Sequence, residues 1–151
     1  MTRQVVVTGL GMTTPVGGDV ATSWRQVLAG TPGIRPIDDP RMADQPSRIA
    51  GIMTVDPGEV LDRVEARRMD RSEQAALVAA REAWADAGAP EVDPDRLGTS
   101  LSSGMGGLIS LMNAYDTLLD KGHSRISPHM VTMIMPNGPA AIVGLEFGAR
   151  A

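Results

Sequence analysis

The chain has 151 residues, 42% hydrophobic and 21% charged, enough for one globular domain that would expose about 7,300 Å² if compact. That composition argues against a disordered or membrane-embedded chain, and the absence of cysteine excludes disulfides, thiolate metal sites and a cysteine nucleophile within these residues. The net charge of −4 arises in residues 56–100, where six Arg face eleven Asp/Glu; no stretch is basic enough to follow a phosphate backbone, so nucleic acid is not an expected partner.

In chain order, Met1-Thr2-Arg3-Gln4 carries no signal-peptide pattern and leads into Val5-Val6-Val7. No span is long and apolar enough for a membrane, so a cytoplasmic protein without membrane insertion is expected. The valine run, closed by Thr8-Gly9, reads as a strand buried on both faces. Asp19 is positioned to cap a helix whose apolar stripe is Val20, Trp24, Val27 and Leu28, with Gly30 as its stop. Residues 31–55, rich in Pro, Gly and Asp, read as loop with one short strand at 48–53. Asp38-Asp39, near Arg35 and Arg41, reads as a solvated turn.

Asp56-Pro57-Gly58-Glu59 opens a charged helical stretch reaching Met69. Asp70-x-x-Glu73 is a capping box for an alanine-rich helix with Leu77, Ala80, Trp84 and Ala87 inward, ended by Gly88. After a Pro/Asp loop at 89–96, Leu97–Ser103 reads as a second strand. Leu108, Leu111, Met112, Tyr115, Leu118 and Leu119 make one helical stripe, stopped by Gly122. Ser127-Pro128 starts a short helix that Pro136 ends, and Asn137 caps a last helix through Phe147. The pattern β-α-loop-α-α-β-α-α-α predicts an α/β fold. Two strands make an incomplete sheet, and the chain reads as a fragment.

The candidate sites read from residue chemistry are few. Gly9-Leu10-Gly11 follows a strand, but Thr14 stands where a dinucleotide fingerprint needs its third glycine, so a tight packing turn is expected. Ser103-Gly104-Met105-Gly106-Gly107 lacks the Lys-Ser/Thr of a P-loop, and Gly98-x-Ser100-x-Ser102 has Ser102 where a nucleophile elbow needs glycine. Met105 is a flexible apolar side chain held between glycines, suited to lining a slot for a floppy chain. Met130, Met133 and Met135 crowd six residues, in a chain with ten Met but one Phe and one Tyr. His123 and His129 have no companion ligands at metal spacing and no nucleophile to serve.

Five stretches in order resemble the 3-oxoacyl-[acyl-carrier-protein] synthase II family, condensing enzymes of the thiolase fold. They are Val5-Val6-Val7-Thr8-Gly9-Leu10-Gly11-Met12 with Pro15-Val16-Gly17; Arg68-Met69-Asp70; Ser103-Gly104-Met105-Gly106-Gly107; Ile126-Ser127-Pro128; and Met133-Ile134-Met135-Pro136-Asn137-Gly138. The last, with Gly144-Leu145 and Gly148-Ala149-Arg150-Ala151, looks most like actinobacterial synthases that extend very long acyl chains.

The resemblance implies the N-terminal part of a thiolase-like domain, layered αβαβα when complete, with residues 1–151 ending before the nucleophile elbow. The family's cysteine, two histidines and lysine match no position here, so no catalytic residue is assigned and this chain alone is expected to be inactive. By the same resemblance Met105, with Gly104 and Gly106, lines the acyl slot, while Met133, Ile134, Met135 and Pro136 reach across a homodimer two-fold to the partner's slot. The activity implied is decarboxylative condensation of malonyl-carrier protein with an acyl-enzyme thioester. Acyl carrier protein is the partner, its phosphopantetheine carries the substrates, and no metal or redox cofactor is implied. Two other readings remain open: a polyketide ketosynthase or chain-length-factor subunit, and a non-catalytic truncated interaction subunit.

Overall fold

The computed structural model describes residues 4–151; residues 1–3, where the reading of the N-terminus begins, and the Arg41 side chain lie outside the described residues. Helix α1 (Val20–Leu28) begins where expected, because the Asp19 carboxylate accepts the Thr22 amide, and Gly30 leaves the helix at a φ of +68°. Its apolar stripe is not buried: Trp24, Val27 and Leu28 stay exposed. The side chain that α1 does bury is Ser23, whose hydroxyl meets that of Thr14 at 2.9 Å.

The loop 31–55 holds two short strands rather than one, β1 (Ile34–Pro36) and β2 (Ile49–Gly51), paired antiparallel with Ile34 opposite Gly51. Arg35 anchors this hairpin through the carbonyls of Pro15 (3.0 Å) and Ile52 (3.2 Å). The expected helix over 57–69 is split into α2 (Pro57–Val60) and α3 (Arg63–Ala66). Asp62 causes the break: its carboxylate accepts the Val64 and Glu65 amides, restarting the helix while the extended Leu61 turns into the core.

Helix α4 (Arg71–Asp86) carries the predicted capping box, complete in both directions, and Leu77 is 1% exposed. It packs against α7 (Gly138–Phe147), where Trp84 stacks on Phe147 with ring centroids 4.5 Å apart; such a pair adds about 0.5–1.5 kcal/mol beyond area burial. Leu61, Ala66, Met69 and Leu77 form the core, with Val78 and Ile142 packed against it. Asn137 does stand at the cap of α7, but its side chain makes no capping hydrogen bond. The short helix between Pro128 and Pro136 is α6 (Met130–Met133).

Two expectations need correction. Neither 5–7 nor 97–103 joins a sheet; among the described residues the one sheet is the β1–β2 hairpin. The extended segments lack neighbouring strands to supply ladder hydrogen bonds, and Val5, Val6 and Val7 are exposed. Helix α5 (Leu108–Lys121) forms as its stripe predicts and stops at Gly122, yet it buries none of its residues. The accessible surface totals 10,866 Å², about half as much again as a compact chain of this size exposes. The excess lies in faces patterned for burial, in a mixed helical fold whose sheet, among the described residues, is a single hairpin.

Candidate functional site

The N-terminal glycine loop is explained by packing. Gly9 and Gly11 lie so close to α4 that a Cβ on either would strike the carbonyl oxygens of Ala83 and Ala79 respectively. Ala79, Ala83 and Ala87 recur every fourth residue and leave a smooth groove for that backbone. The amides that a pyrophosphate would use are taken by carboxylates from α4: Asp86 accepts Leu10 N and one Glu82 oxygen accepts Met12 N, both at 2.9 Å. The other Glu82 oxygen accepts Val20 N at 2.8 Å, pinning the start of α1. Thr14 closes the remaining turn by accepting the amides of Val16 and Gly17.

The second glycine loop is built against a buried pair of carboxylates. Asp70 and Glu73, 5% and 2% exposed, sit in the first turn of α4. One Asp70 oxygen accepts the amide and hydroxyl of Ser72; the other accepts the Ser110 hydroxyl of α5 at 2.6 Å. Glu73 accepts the Asp70 amide at 2.8 Å and lies where only a glycine, Gly138, leaves room beside it. Burial alone would raise the Asp70 carboxyl, but the hydrogen bonds from Ser110 and Ser72 outweigh it and hold it below the usual range. For Glu73, burial dominates, opposed by the Asp70 amide and reinforced by the Asp70 charge, so its carboxyl is raised.

This pair holds together the two segments singled out in the sequence. Gly106, at a φ of +66°, lies against the Ile134 carbonyl; a Cβ on Gly107 would strike the Met133 carbonyl and come within 2.9 Å of the Asp70 carboxylate. Ser103 N donates to the Pro136 carbonyl at 3.1 Å. Gly104 has open space around it, and Met105 points outward, 71% exposed. Behind the loop is a recess of about 320 Å³ lined in part by Met53, Asp70, Gly106 and Ile109.

A larger cleft of about 720 Å³ runs between α3–α4 and α6–α7, with Met69, Leu77, Met135, Ile142 and Leu145 on its walls. Glu65 and Glu146 also line it, and Arg81 bonds both, Glu146 at 2.6 Å and Glu65 at 2.8 Å; this pairing raises the Arg81 pKa and lowers that of Glu146. Of the seven predicted pocket and interface residues, Met135 lines this cleft, Gly106 lines the recess behind the loop, and Met105 stands outside both.

His129 sits at the start of α6 and lines the larger cleft, while His123 begins a short turn after α5. Among the described residues no group of three His, Cys, Asp or Glu is placed to hold a metal ion. No helix among them is long and apolar enough to cross a membrane. Sequence reading found Asp70 and Glu73 as a helix cap but missed their link to the glycine loop. The signal was Ser110, a hydroxyl in the first turn of an otherwise apolar helix start, Leu108-Ile109-Ser110-Leu111.

Residues 2–151 match the family model described as "Beta-ketoacyl synthase, N-terminal domain". The chain is 42% identical over 149 residues to "3-oxoacyl-[acyl-carrier-protein] synthase 2" of Mycobacterium tuberculosis, covering 97% of this chain and 36% of that relative. Among solved structures it superposes on a beta-ketoacyl synthase from Burkholderia phymatum with a TM-score of 0.72 and 25% identity, covering 95% of this chain and 36% of the other. It also matches, at a TM-score of 0.73 and 21% identity, a structure of a type II PKS acyl-carrier protein in complex with its ketosynthase, over 97% of this chain and 40% of that one. The chain therefore spans little more than a third of the length of these relatives.

Proposed function

The chain belongs to the beta-ketoacyl synthase family, and from that premise we propose that residues 1–151 are the N-terminal part of a 3-oxoacyl-[acyl-carrier-protein] synthase that lengthens fatty-acyl chains. The observation that carries the reading is the identity, over nearly the whole chain, to a relative of that name. The uncovered apolar faces of α1 and α5 agree with it, because they are patterned to meet further polypeptide.

In the proposed reaction, a cysteine thiolate outside these residues attacks the acyl carbonyl of a carrier-protein thioester, forming the acyl-enzyme thioester and expelling the carrier-protein thiolate. Malonyl-carrier protein then loses carbon dioxide, and the electron pair of the broken carbon–carbon bond becomes an enolate. The enolate attacks the acyl thioester carbonyl and expels the cysteine thiolate, leaving a 3-oxoacyl-carrier protein. The present residues supply walls for this chemistry. Met105, with Gly104 and Gly106 freeing the backbone around it, lines the acyl slot. Met133, Ile134, Met135 and Pro136 serve the homodimer interface and the partner's slot. An alkyl chain offers no hydrogen bonds, so its affinity comes from burial at about 0.8 kcal/mol per methylene, which flexible methionine walls supply as the chain grows.

On this reading the enzyme works in the cytoplasm as a homodimer. Its acyl groups arrive on carrier-protein phosphopantetheine, and no metal or redox cofactor takes part. The test is Met105→Phe in the full-length polypeptide: products shorten while the first acylation persists, and unchanged product lengths reject the slot assignment. Residues 1–151 alone release no carbon dioxide from malonyl-carrier protein; release would overturn the division of labour.

A further inference from the structure

We propose that Asp70, acting through Ser110, is a positioning residue that sets the acyl-chain wall carried by Met105; this rests on the synthase reading above.

Three observations place it there. First, α5 is weakly attached: it buries no residue, its N-terminus has no side-chain cap, and among the described residues the Asp70–Ser110 hydrogen bond is the one side-chain hydrogen bond joining it to another element. At 2.6 Å, between a hydroxyl and a buried carboxylate, that bond is of the short charge-assisted kind. Second, the same carboxylate abuts Gly107, the last residue of the loop, so one group fixes both the loop's end and the first turn of the helix that follows. Third, the loop is held at both ends and open in the middle: Ser103 N donates to the Pro136 carbonyl at 3.1 Å at its start. Gly106 and Gly107 are pressed on the carbonyls of Ile134 and Met133, whereas Gly104 is in open space and Met105 is exposed. The direction in which Met105 projects is therefore inherited from the two clamped ends, and Asp70 is the charged group at the end that runs into α5.

Glu73 completes the arrangement from the other side. It holds the Asp70 amide and packs on Gly138, which directly follows the 133–137 segment on which the loop rests. Removing the Ser110 hydroxyl leaves this second half intact but frees the first turn of α5 to shift, and with it the wall.

The experiment uses the full-length enzyme with hexanoyl- and palmitoyl-carrier protein as primers. Ser110→Ala lowers kcat/KM for the palmitoyl primer about tenfold relative to the hexanoyl primer, the order expected from losing one charge-assisted hydrogen bond. Ser110→Thr, which keeps the hydroxyl, restores the parent ratio. Asp70→Asn, which keeps the shape and removes the charge, moves the ratio in the same direction. A merely structural role would depress both primers equally and follow the melting temperature, and that result overturns the inference. An unchanged ratio in Ser110→Ala, with Met105→Phe still shortening products, overturns the inference while leaving the slot reading standing. If Met105→Phe also changes nothing, the slot reading falls and the inference with it.

Discussion

Gly11→Ala tests the contact on which the N-terminal half of the fold depends. A Cβ at position 11 would strike the Ala79 carbonyl oxygen and lie 2.7 Å from Ala83 N and 2.9 Å from the Ala79 carbonyl carbon. All three are backbone atoms of α4, which has no flexible end to move aside, so residues 9–12 must lift away. Lifting stretches the hydrogen bonds from Leu10 to Asp86 and from Met12 to Glu82. Overpacking of this kind costs about 1–3 kcal/mol, and loosening the two charged hydrogen bonds brings the total to about 2–4 kcal/mol. Gly104→Ala is the matched control, because nothing lies within 4 Å of its added methyl. Both changes remove the same glycine freedom from the unfolded chain, an effect of about 0.4–1 kcal/mol, so the difference between them isolates the clash. Urea unfolding followed by tryptophan fluorescence measures it. Removing side chains from α4, as in Ala79→Gly, gives no relief, because the obstruction is backbone. A Gly11→Ala chain within about 0.5 kcal/mol of Gly104→Ala, or a rescue by Ala79→Gly, refutes the close-approach argument.

Glu82→Gln leaves one acceptor oxygen where two amides, Met12 N and Val20 N, now share a carboxylate; one N–H then faces an amide donor, and unfolding measurements should show a loss of about 2 kcal/mol. Glu73→Gln tests the buried pair through pH. Because burial raises the Glu73 carboxyl, the fold prefers its neutral form: its contribution is fully present below the unfolded pKa and is lost as pH rises through the raised folded value. The uncharged glutamine keeps an acceptor for the Asp70 amide, so the variant's stability relative to the parent should grow as pH rises past the ordinary glutamate range and stay flat below it; a pH-independent difference contradicts this. Asp70 behaves oppositely, since its lowered pKa makes a contribution that is present above its unfolded value and lost as pH falls through the folded one.

Helices were legible in the sequence where a side chain makes the stop or start signal itself. Asp19, Asp56 and the Asp70–Glu73 box each cap the helix they were expected to cap, and Gly88 and Gly122 end theirs at positive φ. The split at Leu61–Asp62 was missed because Asp62 lies inside an otherwise helical, charged stretch, where a local capping bond competes with the helix. Strands were the less legible part. Val5–Val7 has the right residue types, but a strand is defined by the neighbour it bonds, and among the described residues no strand pairs with it. For the site, glycine spacing marked the loop at 104–107 and methionine crowding marked 133–136. That the two lie against each other came only with the fold, because their contact joins carbonyl oxygens to missing side chains and leaves no chemical trace in sequence.

Both glycine-rich loops use one device. In each, glycines are placed where backbone must meet backbone: Gly9 and Gly11 against α4, Gly106 and Gly107 against the 133–134 carbonyls. In each, the apolar side chain beside or between them, Leu10 or Met105, is turned outward and left exposed. Leaving a large apolar side chain in water forgoes about 1.5–3 kcal/mol of burial, so a chain that spends its glycines on such a display gains nothing from it in isolation. The same holds for α5, a fourteen-residue helix with a continuous apolar stripe and no buried residue. On the proposed reading these surfaces are half of a contact whose other half is an alkyl chain for Met105 and further protein for α5. The proposed synthase requires both occupants, and their absence from the surface would leave the display without a cause.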